Sequence, residues 1–180
     1  MKYKLVTLGL DLSLTGTGVV VIADGKIIRQ RLIKSKPVGD LPVNELQRIM
    51  KIVVDIADVI AGIPVDIAVI EGLAFMVRNA TALVQLSALN YMVRQMLFNN
   101  GIPFVIVAPT SLKKFATGSG ASKKDVMLIE VFKRWEVTIL NDNENDAFCL
   151  AKVGEELKKG KPDKLPIFQQ EVLSLLKKQL

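Results

Sequence analysis

The chain predicts an α/β fold: a mixed β-sheet, three antiparallel strands followed by parallel ones, with helices on both faces. Three observations carry this. Strand-like runs fill residues 4–10, 17–23 and 26–33, and Asp24-Gly25, a dipeptide favoured in two-residue hairpins, separates the last two. From Asn44 onward the apolar period becomes helical, then alternates with short apolar runs that suit buried strands. Neither repeats nor low-complexity segments interrupt the order β-β-β-α-β-α-β-α-α.

Each element has its own signal. After the connector at residues 36–42, Leu46, Ile49, Met50, Val53, Ala57 and Ile60 fall on one helical face that turns toward the core, and Gly62 and Pro64 end the helix. Residues 65–70 read as a buried strand closed by Glu71-Gly72. A long helix over 81–99, with Leu83, Leu86, Val93 and Leu97 near one face, stops at Asn100-Gly101. Residues 102–107 form another buried strand, and Pro109 starts a short helix. Thr117-Gly118-Ser119-Gly120-Ala121 reads as a flexible loop. Ser122, with Asp125 three residues on, reads as the N-cap of a helix reaching Arg134. A polar turn at 141–145 feeds the last core helix, 143–158. Residues 1–158 make one domain; 159–180 are a linker and an amphipathic helix with Val172, Leu175, Leu176 and Leu180 inward.

Composition narrows the chemistry. The 180 residues contain one cysteine and no histidine, which excludes internal disulfides, histidine-based triads and zinc–histidine sites. A single cysteine suits a reducing cytosol, and the sequence shows neither a signal peptide's pattern nor a membrane span, so a cytoplasmic protein is expected, in a cell or a phage-infected host. Acid, base and metal work falls to carboxylates, Asn, Lys or Tyr. The formal charge of +6 and pI near 9.4 favour a polyanionic partner.

Asp11 is the charge in the stretch Leu8-Gly9-Leu10-Asp11-Leu12-Ser13-Leu14-Thr15-Gly16-Thr17-Gly18, where the first strand stops. Alone it is equally compatible with an Asx turn. It has company: Glu71 ends the fourth strand, and Asp146 lies near the start of the last core helix. If the first and fourth strands are neighbours, Asp11 and Glu71 stand side by side, where like charges raise each other's pKa unless a cation neutralises them. Hard oxygen ligands without His or Cys call for Mg²⁺ or Mn²⁺. A pair of such ions activates water and stabilises the leaving oxygen in phosphodiester cleavage. Lys113-Lys114 and Lys123-Lys124 flank a glycine loop and suit a phosphate cradle.

These residues together resemble the RuvC-type Holliday junction resolvases of the RNase H-like superfamily, in particular their smaller phage relatives, over residues 4–155. The opening around Asp11 resembles the family's strand–Asp–turn–Gly–strand signature. Glu71-Gly72-Leu73-Ala74-Phe75-Met76-Val77-Arg78-Asn79 resembles its Glu-x-x-Phe-Met-x-x-Asn stretch, with one extra residue before Phe75. Residues 108–124 resemble its lysine–glycine loop–lysine segment, and Asp146-Ala147-Phe148-Cys149-Leu150-Ala151 its Asp-Ala-x-x-x-Ala helix. The resemblance implies a homodimeric, Mg²⁺-dependent endonuclease that binds a four-way DNA junction and nicks two strands of like polarity symmetrically. It makes Asp11, Glu71 and Asp146 metal ligands, with Asp11 bridging two ions, and Lys113 and Lys123 or Lys124 phosphate contacts. It also places Phe75 as a wedge at the junction centre, with Arg78, Asn79 and Lys114 beside the DNA, and builds a dimer interface from the helix after Glu71.

One position departs from the pattern. Three residues before Asp146, where the family places Asp or His, this chain has Asn143, whose amide oxygen can bind Mg²⁺ but brings no charge and cannot act as a base. Asn143 is expected to be a neutral ligand, with Asp142 or Glu144 the second choice. Rival readings are a junction-binding module that has lost cleavage and a nuclease for forks and flaps. The opening also resembles the first phosphate loop of actin-like ATPases and sugar kinases, but the later adenosine segment is missing. Gly118-x-Gly120 before Lys123 is no P-loop. No nucleotide cofactor and no membrane partner are expected.

Overall fold

Val6–Asp11 forms β1, the middle strand of a five-stranded sheet of order β3-β2-β1-β4-β5. All its residues are buried, as a strand covered on both faces requires. The computed structural model describes residues 3–39, 41–73, 80–160 and 164–180. Strands β2 (Gly16–Ala23) and β3 (Lys26–Lys34) complete an antiparallel meander with β1. Asp24 and Gly25 both have positive φ, 48° and 85°, as a type I′ turn demands. The Asp24 carboxylate then accepts from the backbone N–H groups of Lys4 and Leu5 at 3.1 and 3.0 Å. β4 (Ile67–Glu71) runs parallel to β1, and β5 (Phe104–Val107) parallel to β4.

Helices α1 (Pro42–Ile60) and α2 (Ala80–Asn99) cover one face. The other carries α3 (Pro109–Thr117), α4 (Lys124–Trp135), α5 (Asp142–Lys159) and α6 (Ile167–Leu176). α5 lies against the sheet at backbone distance. A Cβ on Gly9 would sit 1.9 Å from the Ala147 carbonyl oxygen, and one on Gly18 2.1 Å from that of Asn143. The Thr7 hydroxyl adds a buried hydrogen bond to the Ala151 carbonyl at 3.0 Å. Glycine is therefore required at two strand positions because a helix backbone occupies the space of their side chains.

Three expectations need correction. Leu46 and Met50 of α1 do not face the core; they are 50% and 48% exposed, while Ile49, Ile52, Ile56, Val59 and Ile60 are buried. The helix has two apolar stripes, and the isoleucine stripe takes the core, leaving Val43, Leu46, Met50 and Val54 outside. Ser122 is not the cap of α4: Lys123 holds that position without a side-chain cap, and the Ser122 hydroxyl instead bonds that of Thr117 at 2.7 Å. On α6, Val172 and Leu176 face inward with Leu173, but Leu175 lies on the outer side of the helix, and Leu180 is exposed after a 3₁₀ turn over Lys177–Gln179 breaks the helical period. That turn brings the Gln179 amide against the outer edge of β5. Its oxygen accepts from the Ile106 N–H at 2.8 Å, and its nitrogen donates to the Ile106 carbonyl at 3.0 Å. The side chain thus stands in for a neighbouring strand at an otherwise open edge. No helix among the described residues is long and apolar enough to cross a membrane.

Candidate active site

The β1–β4 register pairs Leu10 with Ile70, which sets Asp11 and Glu71 side by side, each one residue further on at the same end of the sheet. Asp11 is also opposite Gly18 on β2, where the first turn of α5 rests. That helix is capped by Asn141, whose side-chain oxygen accepts from the N–H groups of Asn143 and Glu144, both at 3.1 Å. Asp146 comes one turn later and is carried over the ends of β1 and β4. One parallel strand pair and one close helix approach therefore bring three acids from three elements to the same end of the sheet.

Asp11 is buried, and Glu71 and Asp146 are half-buried. Burial pushes the Asp11 carboxyl up to about 8, helped by the Glu71 charge and by a hydrogen bond between the two, while Lys124 opposes the shift. Burial also raises Glu71, with Asp146 adding to it. Asp146 is pushed up to about 7, by burial first and by Asp11 second. Burial and mutual repulsion thus favour protonation of this pair, and a nearby cation would oppose it.

Two lysines reach this cluster electrostatically. Lys113 of α3 opposes the shifts of Glu71 and Asp146, and Lys124, first residue of α4, opposes those of all three acids. Burial works against the Lys124 charge, yet an ion pair to Asp142 at 3.1 Å, with Asp146 and Asp11 beyond it, holds its pKa above the ordinary value. Of the two alternatives Lys123 and Lys124, the latter turns to the carboxylates. Lys114 points elsewhere and pairs with Glu171 of α6 at 2.6 Å. The loop between the lysines is tied by Thr117, whose hydroxyl donates to the Lys113 carbonyl at 2.8 Å and accepts from the Ser119 N–H at 3.1 Å.

Asn143 uses its amide nitrogen to donate to the Gly16 carbonyl at 2.6 Å, which leaves Oδ1 as its acceptor. Asp142 is engaged by Lys124. Phe75, Arg78 and Asn79 lie outside the described residues. Among the described residues no group of three or more acidic or cysteine side chains stands close enough to hold a metal ion. The donor set still fits a hard divalent cation: it is all oxygen, largely desolvated, and carries charges that repel one another. Sequence reading did not single out Arg48, whose guanidinium holds the turn after Asp11. A lone Arg on an amphipathic helix carries no sequence signal for that role.

Comparison with known proteins places the fold. Structural matches include *Thermus thermophilus* RuvC in complex with Holliday junction substrate, at 17% identity and a TM-score of 0.71 over 87% of this chain and 96% of that one. The yeast mitochondrial Holliday junction resolvase matches at 10% identity and a TM-score of 0.59, over 96% and 80%. The fowlpox virus Holliday junction resolvase matches at 15% identity and 0.50, over 84% and 99%. The mixed sheet with its antiparallel and then parallel strands is the RuvC, RNase H-like fold. Sequence comparison with curated proteins finds no match. Residues 7–152, from β1 through most of α5, match the family described as crossover junction endodeoxyribonuclease RuvC, and the chain belongs to that family.

Proposed function

We propose that this junction-resolving endonuclease cuts four-way DNA as a homodimer, with Mg²⁺ held by Asp11, Glu71 and Asp146 and a neutral fourth ligand from Asn143 Oδ1. Its family is that of the crossover junction endodeoxyribonucleases, and RuvC-family nucleases depend on divalent metal. The observation that carries the proposal is the placement of Asp11, Glu71 and Asp146 at one sheet end by the β1–β4 register and the close approach of α5, with Lys124 beside them. Asp11, Glu71, Asp146 and Asn143 would hold two such ions per site, and Mn²⁺ would substitute for Mg²⁺ on these oxygen donors. Divalent cations held there would supply Lewis acidity for water activation and for the charge on the leaving oxygen.

The chain's own residues supply the rest. Lys113 and Lys124 face the charge of the scissile phosphate, and Asp142 holds the Lys124 ammonium in place. Asn143 fixes the Gly16 carbonyl and so keeps α5 in register with the turn after Asp11. The dimer reading is supported by Val84, Tyr91 and Phe98, exposed at seven-residue intervals along one face of α2. We place the nuclease domain at residues 1–158, the protein in the cytoplasm, and Phe75, Arg78, Asn79, Lys114 and Lys123 along the DNA path.

The test is cleavage of end-labelled four-way junctions, forks, flaps and linear duplex of matched sequence, with Mg²⁺ or with chelator. Paired symmetric nicks in the junction, absent from duplex and lost in chelator, are expected. Equal cutting of every branched form would replace strict junction choice with a broader specificity. Tight junction binding without cleavage in Mg²⁺ or Mn²⁺ would overturn the enzymatic reading. Within the site, Asn143→Ala is expected to lower Mg²⁺-dependent cleavage more than Glu144→Ala.

A further inference from the structure

The turn between β1 and β2 follows Asp11 directly and is fastened from two sides. On one side Asn143 of α5 holds the Gly16 carbonyl. On the other, the Arg48 fork reaches across from α1: Nε donates to the Ser35 hydroxyl at 2.7 Å and Nη2 donates to the Leu14 carbonyl. Ser35, just past β3, donates its own hydroxyl to the same carbonyl at 2.8 Å and its N–H to the Thr15 carbonyl at 3.3 Å. Within the turn, Thr17 Oγ1 donates to the Ser13 carbonyl at 2.8 Å and accepts its N–H at 3.1 Å.

Among the described residues no carboxylate forms an ion pair with Arg48, and its guanidinium donates to a backbone carbonyl and a hydroxyl. Charged donors make the stronger hydrogen bonds, and a planar fork fixes direction as well as distance. One turn earlier on α1, Glu45 accepts from the Gln85 amide of α2 at 2.8 Å. Arg48, Glu45 and Gln85 border a cavity of about 300 Å³, so truncating Arg48 opens no hole in the apolar core.

We infer that Arg48 is a positioning residue for the cleavage reaction: through the Leu14 carbonyl it fixes the turn that aims Asp11. The inference rests on the junction-cleaving reading for its kinetic consequence, and on hydrogen bonding alone for its structural one. A lysine keeps the charge but lacks the fork, so the conservative variant separates charge from geometry.

The experiment compares wild type, Arg48→Ala and Arg48→Lys by single-turnover cleavage of a four-way junction in saturating Mg²⁺. Junction affinity in chelator and amide hydrogen exchange across residues 12–18 are measured alongside. Outer-shell changes at metal sites cost roughly 10–100-fold. A rate loss in that range is expected for both variants, with junction affinity in chelator as in wild type, because Arg48 holds the turn and not the DNA. Exchange is expected to speed up over residues 12–18 alone, leaving β4 and α5 as in wild type. A wild-type rate in Arg48→Ala, full recovery in Arg48→Lys, affinity loss equal to the rate loss, or faster exchange throughout the protein would each overturn it. If wild type cleaves no junction at all, the functional reading fails while the exchange data still decide whether Arg48 clamps the turn.

Discussion

On one face of the sheet α5 rests on Gly9 and Gly18 at backbone contact; on the other, α1 and α2 stand off on whole side chains such as Ile52, Ile56, Leu89 and Leu97. The first arrangement leaves no slack. Asp146 can be offered to Asp11 and Glu71 only because the helix that bears it has one possible height and register above the strands. The second arrangement tolerates exchange of one aliphatic for another, and it leaves an outer stripe of Val43, Leu46, Met50 and Val54 uncovered in the protomer. Chemistry is proposed for the side where backbone meets backbone, and association for the side where side chains meet.

The largest effect expected from breaking this contrast comes from Gly9→Ala. Its Cβ would overlap the Ala147 carbonyl, so α5 must move; overpacking typically costs about 1–3 kcal/mol, and a clash with backbone lies at or above the top of that range. At roughly 2–4 °C per kcal/mol for a chain of this size, thermal denaturation should register a fall of about 6–12 °C or more. Ile52→Val on the opposite face should cost only about 0.5–1.5 kcal/mol. Equal losses from both would erase the distinction between the faces.

Next comes Asp146→Asn, which keeps shape and removes charge. Junction cleavage should drop by more than the roughly 100-fold seen for outer-shell changes, with junction binding retained. The variant should melt no lower than wild type in chelator, since a buried like charge has gone.

A smaller effect is the pH dependence of stability. Asp11 and Asp146 are raised in the fold to about 8 and about 7 from an ordinary 3.8. The folded state therefore holds protons that the unfolded chain releases, and the associated stability is present below the unfolded pKa and lost as pH rises through the folded values. In chelator the melting temperature should fall from about pH 4 to about pH 8, and Mg²⁺ should restore it at the upper end. Asp11→Asn should flatten the slope; an unchanged slope would mean that another group drives it.

The smallest effect is expected at the outer stripe. Leu46→Ala or Met50→Ala should change stability within about 0.5 kcal/mol in chemical denaturation, as exposed positions do. A loss near the ~2–5 kcal/mol of a core truncation would return these residues to the core.

Much of this was legible in the residues. Asp24-Gly25 announced its hairpin because only a few dipeptides accept positive φ twice. Asp11, Glu71 and Asp146 stood out as charges at the ends of apolar runs, a local pattern that needs no coordinates. What was hidden depends on tertiary choice. Periodicity alone could not say which of two apolar stripes on α1 would face the sheet. Ser122 carried the pattern of a cap, but Thr117 competes for its hydroxyl across the loop. Likewise, nothing along the chain reveals that Arg48 meets Leu14, or that Lys114 is drawn to Glu171 of α6 rather than to the acids.

The central claim is that the acid cluster over β1, β4 and α5 holds divalent cations. It is tested most directly by counting Mn²⁺ bound per protomer at pH 8, through loss of the free-ion paramagnetic resonance signal, in wild type and in Asp146→Asn. The account predicts two ions on wild type, at least one fewer on the variant, and no change with Lys51→Ala, which removes an exposed ion pair far from the cluster. Equal Mn²⁺ binding by wild type and Asp146→Asn would contradict it.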